Sequence, residues 1–573
     1  MLTTKTRDAA STWLGLISLA VILSTNTAAL ARSTEIVSIS TTGLQGDAVS
    51  GRFAGPAISG NGRVIAFDSP ASTLVLGDTN RRVDVFVHDR DTGVTERVSI
   101  STALVEGDGT STRPAIDGAG NRIVFDSSSS NLITGDDTNH TTDVFVRDRS
   151  LQTTERVSVS SAESEGDGHS HSGTISADGR FVCFVSAASN LVPDDTNFSE
   201  DIFVRDLAAG TTERVSVGSV AEQSNSPSTL ASISADGRWV AFISSADNLV
   251  AGDTNEELDI FLHDRQTGLT ERVSTGDAEQ EADAASAGPS VSEDGNLVAF
   301  WSDATNLVAG DTNGMRDVFV RDRAAGTTER ASVSSEGVEA DGNSQDPAVR
   351  GFLASSPQIT ADGRYVVFFS SAANLVPDDT NTCGPLFRDR PGHCPDVFVR
   401  DRTAGTTTRV NVSADGMQAD DRSADPVISA SGLAVAFSSA ATNLVSFDAN
   451  ACPGFPNCPD IFVHDALPTV VREARYDEGA TAAAALSVSV EPNPVAAAFD
   501  LRVTGPSSEE MTLIVYDTSG RAVRMLARGR LASTLVRWDG TDIKGNRVEP
   551  GTYIAKLSSS EESVTGKITM VEK

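Results

Sequence analysis

The chain has 573 residues, with 79 acidic against 45 basic side chains and a formal charge of -34. Such a surface repels phosphate backbones, which argues against nucleic acid and anionic membranes and favours divalent cations among small partners. The acids are spread through loops rather than gathered in one tract, as in a solvated exterior.

At the N-terminus, Lys5 and Arg7, the apolar stretch Trp13 to Leu23 and Ala29-Leu30-Ala31 read as a secretory signal peptide over residues 1-31, cleaved after Ala31. Its apolar core is too short for a comfortable membrane anchor, and no later segment approaches the length of a transmembrane span. The expected location is secreted, periplasmic or cell-surface.

A short apolar strand flanked by charge then recurs. It begins as Asp84-Val85-Phe86-Val87-His88-Asp89 and returns at Asp143, Asp201, Asp259, Asp317, Asp396 and Asp460. A period of about 58 residues means that the fold is an array. In the fourth unit, Leu230 to Ile233, Arg238 to Phe242, Asp259 to His263 and Thr270 to Ser274 read as four strands, mostly joined by Gly-containing turns. The middle runs are continuously apolar, as expected when both faces of a sheet are covered. The predicted fold class is all-β, a seven-bladed β-propeller over residues 32-475 with a small C-terminal β-sandwich. Thr34 to Ser40 matches an outer strand with no inner strands before it, so it is predicted to complete the seventh blade and close the ring. The alternative is that Val470 to Arg475 does this alone.

The loop before each third strand carries a repeated polar set. It is Asp78, Asn80 and Asp84 in the first blade, then Asp137, Asn139 and Asp143; Asp195, Asn197 and Asp201; Asp253, Asn255 and Asp259; and Asp311, Asn313 and Asp317. Oxygen ligands at this spacing suit a hard cation such as Ca2+, the one cofactor the sequence suggests. The competing reading is an Asx-turn with the last Asp capping a strand. Of five cysteines, Cys383 and Cys394 bracket one insertion, and Cys452 and Cys458 another. Each pair is expected to close its own loop, worth roughly 2 to 3 kcal/mol, with cross-pairing between the loops left open. Cys183 sits in an apolar run, where it serves as a small buried hydrophobe.

Catalytic signals are sparse. Gly168-His169-Ser170-His171-Ser172 has some likeness to a nucleophile elbow, but its last residue is not Gly and it lies in a polar loop. His88, His263 and His464 share a repeat position with Arg147, Arg205, Arg321 and Arg400, which suggests a polar strand end rather than a general base. Trp239, Trp301 and Tyr365 sit in second-strand runs, more suited to a core than to a glycan platform.

The unit Ile359-Thr360-Ala361-Asp362-Gly363-Arg364-Tyr365-Val366-Val367-Phe368 and the turns at Ser176 to Arg180, Ser234 to Arg238 and Ser292 to Asn296 resemble the repeat of TolB-like, WD-repeat-like propellers. After a linker at 476-487, Pro492-Asn493-Pro494, Val515 to Arg521, Trp538 to Asp542 and Pro550 to Tyr553 resemble FlgD-like immunoglobulin-type domains over 488-573, and the C-terminal sorting domains of type IX secretion cargo. The resemblance implies a module for export, surface attachment or assembly. The functional expectation is a non-enzymatic propeller that binds a protein or peptide partner. The alternative is an extracellular cation-dependent hydrolase or lyase with its site at the channel.

Overall fold

The computed structural model describes residues 34–465 apart from 52–53, 136, 346–355, 384–392, 449, 451 and 453–456. Towards the C-terminus it describes 487–490, 499–504, 511–517, 522–529, 534–538, 541, 547–548, 551–558 and 563–570. The expected signal peptide, the segment Val470 to Arg475 and all of the expected linker but Ser487 lie outside the described residues. The chain divides into two compact units, Met1–Val470 and Val471–Lys573.

The first unit holds seven four-stranded sheets, each antiparallel. In the fourth, Ser228–Ile233, Trp239–Ser244, Asp259–Asp264 and Leu269–Arg272 lie side by side in chain order. A phenylalanine pair marks the middle of every blade, with ring centroids 6.0 Å apart for Phe67 and Phe86, 5.9 Å for Phe242 and Phe261, and 6.0 Å for Phe437 and Phe462. These rings are fully buried. Burying one is worth roughly 2 to 3 kcal/mol, which explains why the second and third strands are apolar on both faces.

Adjacent blades are tied along their inner turns. The amide of Gly118 donates to Ala177 O at 3.0 Å, and that of Ala177 donates to Ala235 O at 3.0 Å. Further out, the guanidinium after a third strand donates to a glutamate of the preceding blade, as Arg149 does to Glu96 (2.6 Å) and Arg265 to Glu213 (2.6 Å). The ring closes as predicted: Thr34–Ile36 pairs antiparallel with Asp460–Asp465, Thr34 opposite His464. The N-terminal strand is thus the outer strand of the seventh blade and covers the edge of Asp460–Asp465.

Antiparallel order fixes which connections share a face. The turns between first and second strands, such as Ser176 to Arg180 with Gly179 at φ +73°, emerge on one side. The loops between second and third strands emerge on the other, where the innermost strands begin. Those innermost strands line a central channel of about 640 Å3. Most carry a β-bulge near their start, with register shifts between Thr112 and Ala115, His171 and Thr174, Thr229 and Ala231, Ala287 and Ser290, and Ala424 and Val427.

The second unit has a three-stranded sheet (Ser487–Val490, Phe499–Thr504, Thr534–Trp538) and a four-stranded sheet led by Met511–Asp517 and Gly551–Ser558. Its core gathers Leu501, Leu513, Val515, Ala555 and Leu557 around Trp538, whose Nε1 donates to Thr541 O at 2.9 Å.

Candidate functional site

The repeated Asp/Asn loops are built around arginine. In the fourth blade, Arg272 of the outer strand places its guanidinium 3.3 Å from Asp253, 3.4 Å from Asp259 and 2.5 Å from Glu281. Asn255 donates to Asp259 at 2.9 Å and to Ala282 O at 3.1 Å, and Ser274 caps the other carboxylate oxygen at 2.5 Å. Arg97 stands likewise among Asp78, Asp84 and Glu106, and Arg330 among Asp311, Asp317 and Glu339. Arg156 reaches Asp143 and Glu165, Arg214 reaches Asp195 and Asp201, and Arg409 reaches Asp379 and Asp396. Asn80, Asn139, Asn197 and Asn313 each donate to the third-strand Asp of their own blade, Asn139 at 3.5 Å. Asp137 caps the amide of His140 at 3.0 Å. Burial pushes Asp78, Asp143, Asp253 and Asp311 up to about 6 despite these cations. The guanidinium therefore stands where a hard cation would be sought.

The seventh blade lacks this arginine. Ile36 lies opposite Phe462 as Arg97 lies opposite Phe86. Asp460 keeps its serine (Ser38, 2.6 Å) and its asparagine (Asn450, 2.8 Å), but burial pushes its carboxyl up to about 7.

The cysteines pair within their loops, Cys383 with Cys394 and Cys452 with Cys458. Cys183 is buried, and its thiol is pushed up to about 12 by that burial. The recurrent His/Arg position is the penultimate residue of the third strand, and its side chain is tied to the neighbouring strand: His88 Nδ1 and His263 Nδ1 are 2.8 and 2.9 Å from Thr95 and Thr270 Oγ1, and Arg147 Nη1 donates to Thr154 at 3.1 Å. Trp301 is buried with Arg316 stacked 3.6 Å from its ring centroid, and Trp239 is clasped by Arg238 and Arg323 at 4.6 and 4.3 Å. They belong to the packing.

The channel is asymmetric from end to end. Ile58, Ile116, Ile175, Ile233 and Ile428 line it where the innermost strands finish, whereas Arg113, His171, Glu200 and Asp425 line it where they begin. The bulges produce this polar mouth. Arg113, Ser172, Leu230 and Asp425 all take positive φ (52°, 54°, 42° and 52°), a strained conformation for such residues that is typical of functional sites. Asp126, fully buried on the second blade, accepts the amides of Ser172 (2.9 Å) and Gly173 (3.5 Å) and lies 3.5 Å from Arg113. Burial pushes its carboxyl up to about 6. Gly173 is required there, since a Cβ would fall 2.5 Å from Val124 Cγ1.

Beside the bulge, His169, His171 and Glu200 meet. Both Nε2 atoms approach Glu200 Oε1, at 2.9 Å for His169 and 3.1 Å for His171, and the rings stack with centroids 5.6 Å apart. Hydrogen bonds from His171 and His169 hold the Glu200 carboxyl down to about 2. The sequence of the histidine segment carries no trace of this meeting, because Glu200 lies 29 residues from His171 and nothing local joins them.

The protein is thus of the propeller class, followed by an immunoglobulin-like module. Residues 492–563 match the FlgD Ig-like domain family. The chain is similar to TolB from Acinetobacter baumannii at 18% identity, covering 48% of this chain and 52% of that one, with a TM-score of 0.29. It therefore spans about half the length of that relative. It is also similar to oligogalacturonate lyase from Vibrio parahaemolyticus (13% identity, 76% of this chain and 97% of that one, TM-score 0.43). An acylaminoacyl peptidase from Pyrococcus horikoshii is similar at 10% identity over 68% of this chain and 49% of that one, with a TM-score of 0.38. No curated protein matches the chain.

Proposed function

We propose that the protein is an extracytoplasmic propeller scaffold that receives a segment of a protein or peptide partner at the polar channel mouth. On this reading the FlgD-like domain serves export, anchoring or assembly. The observation that carries the proposal is the two-ended channel: a charged rim of Arg113, Glu200 and Asp425 above a sleeve of isoleucines, in about 640 Å3. Such a space suits an apolar side chain presented on a polar backbone. Exposed apolar residues on the loops of the same face, Leu76, Phe198 and Phe447 (102%, 97% and 76% exposed), are open to contact by a partner. Paired cysteines on that face fit an oxidising compartment, and among the described residues no helix is long and apolar enough to cross a membrane.

The test is a photo-crosslinking amino acid placed at Arg113 and, as control, at Asp178 on the opposite face, used in the native extracellular fraction. A discrete adduct from the Arg113 position alone supports the reading. Equal labelling from both, or none, overturns it. A cation-dependent hydrolase or lyase is the second reading, favoured by the imidazoles and carboxylate at the same mouth.

A further inference from the structure

We propose that His169, His171 and Glu200 bind one divalent metal ion of the zinc class at the channel mouth, with coordination positions left open to solvent. The inference is independent of the partner reading above, because metal binding is measured without a partner.

The first ground is convergence. Two imidazole nitrogens point at one carboxylate oxygen, at 2.9 and 3.1 Å. Ligand atoms on a tetrahedral zinc with arms of about 2.0–2.1 Å are about 3.3 Å apart, so little movement admits an ion. Strand alternation explains the pairing of the histidines, since positions two apart share a face.

A second ground is orientation. His171 Nδ1 lies 2.9 Å from Ser172 Oγ. When Nδ1–H donates to that hydroxyl, Nε2 turns a lone pair towards Glu200, and a cation between them reconciles two electron-rich atoms. Metal-binding histidines are commonly held through their other nitrogen in this way. Ser172 is itself fixed by its left-handed backbone and by Asp126. The backbone before it is fixed as well: a Cβ on Gly168 would stand 2.7 Å from the Ala187 backbone.

The repeat supplies the third ground. Every blade has a serine aligned with Ser170, bonded to a second-strand serine, as in Ser111 with Ser127 and Ser228 with Ser244. Counting from those serines, the positions of His169 and His171 are Thr110 and Thr112 in the second blade, Pro227 and Thr229 in the fourth, and Ala285 and Ala287 in the fifth. The position of Glu200 is Thr142, Leu258 and Arg316 there. Those blades fold without the three groups. Blade three departs from the repeat at three separate positions, and all three meet at one point.

Two nitrogens and one oxygen suit a borderline ion rather than calcium, which takes oxygen ligands alone. Side-chain exposures of 48%, 24% and 28% leave the ion reachable.

The experiment is zinc titration calorimetry of the mature full-length protein in excess calcium, which saturates stray carboxylates, with cobalt(II) absorption as the spectroscopic readout. The expected result is one equivalent bound with tetrahedral-type cobalt bands, weakened at least tenfold in His169→Ala, His171→Ala and Glu200→Gln. The exposed-histidine control His140→Ala should stay within twofold. His169→Ala removes the most exposed ligand, so its fold is the least at risk, and a thermal melt verifies it. No stoichiometric binding, or binding unchanged in a folded His169→Ala protein, overturns the proposal.

Discussion

Arg272 shows what one side chain does in this repeat. It is surrounded by Asp253, Asp259 and Glu281, with Asp259 fully buried. Removing one partner of a buried ion pair leaves uncompensated charge, at a cost of about 3 to 5 kcal/mol. Arg272→Met is therefore expected to lower the melting temperature strongly at pH 7, and calcium should restore part of the loss by replacing the guanidinium. The wild type should show no shift with calcium or chelator. If calcium raises the wild-type melt by several degrees, the arginines are not the cations these loops use. Ile36 gives the converse case. The carboxyl of Asp460 is pushed up to about 7, whereas in the unfolded chain an aspartate titrates near 3.9. Between these values the folded state keeps a proton that the unfolded state has released. The stability tied to Asp460 is therefore full below about pH 4 and lost as pH rises through 7. Ile36→Arg places a guanidinium where six blades have theirs beside a fully buried Asp. The difference in melting temperature between variant and wild type should grow more positive from pH 5 to pH 8. A flat difference would mean that the side chain does not reach Asp460.

The strand Thr34–Ile36 is short, yet it closes the ring. It pairs with Asp460–Asp465, and Arg90 of the first blade grips both Glu35 and Asp465, the latter at 2.9 Å. Deleting residues 32 to 40 removes Ser38 as well, which caps Asp460 at 2.6 Å. That deletion should lower the melting temperature by several degrees and expose a sheet edge, read as concentration-dependent association in sedimentation. An unchanged melt would show that the closing strand is dispensable. This element was legible in the sequence, because Thr34-Glu35 copies Thr95-Glu96 and lacks inner strands of its own. The blades were legible for the same reason: their turns and apolar runs repeat within one chain. The channel mouth was not. A β-bulge has no composition of its own, and its trace lies in prolines inside innermost strands, Pro114, Pro289 and Pro426, which a ladder-bonded strand would not tolerate. The Arg-acid clusters were missed because the arginine follows its third-strand Asp by 13 residues and precedes its Glu by 9, distances set by the hairpin and the next loop rather than by any local period. The meeting of His169 and His171 with Glu200 is likewise a property of blade geometry.

Across the whole molecule, a formal charge of -34 is opposed by arginines placed at the joints. Among the described residues, several arginines sit between blades, as in Arg149 with Glu96 and Arg402 with Glu329, and others inside the acid clusters of the loops. Many of the remaining carboxylates face solvent, so their mutual repulsion is long-range and the attractions that offset it are short-range. Salt acts on these two unequally. The Debye length falls from about 30 Å at 0.01 M to about 8 Å at 0.15 M, which removes the repulsion between distant blades. Partly buried pairs such as Arg97 with Asp84, at 10% and 0% side-chain exposure, are screened far less. Raising sodium chloride from 10 to 150 mM should therefore raise the melting temperature, with little further change above that range. The same experiment on Glu96→Gln should give a parallel curve displaced downward by a small amount, since exposed pairs are worth about 0 to 1 kcal/mol. A wild-type melt that falls with salt would place the balance elsewhere, in surface ion pairs that outweigh the net charge.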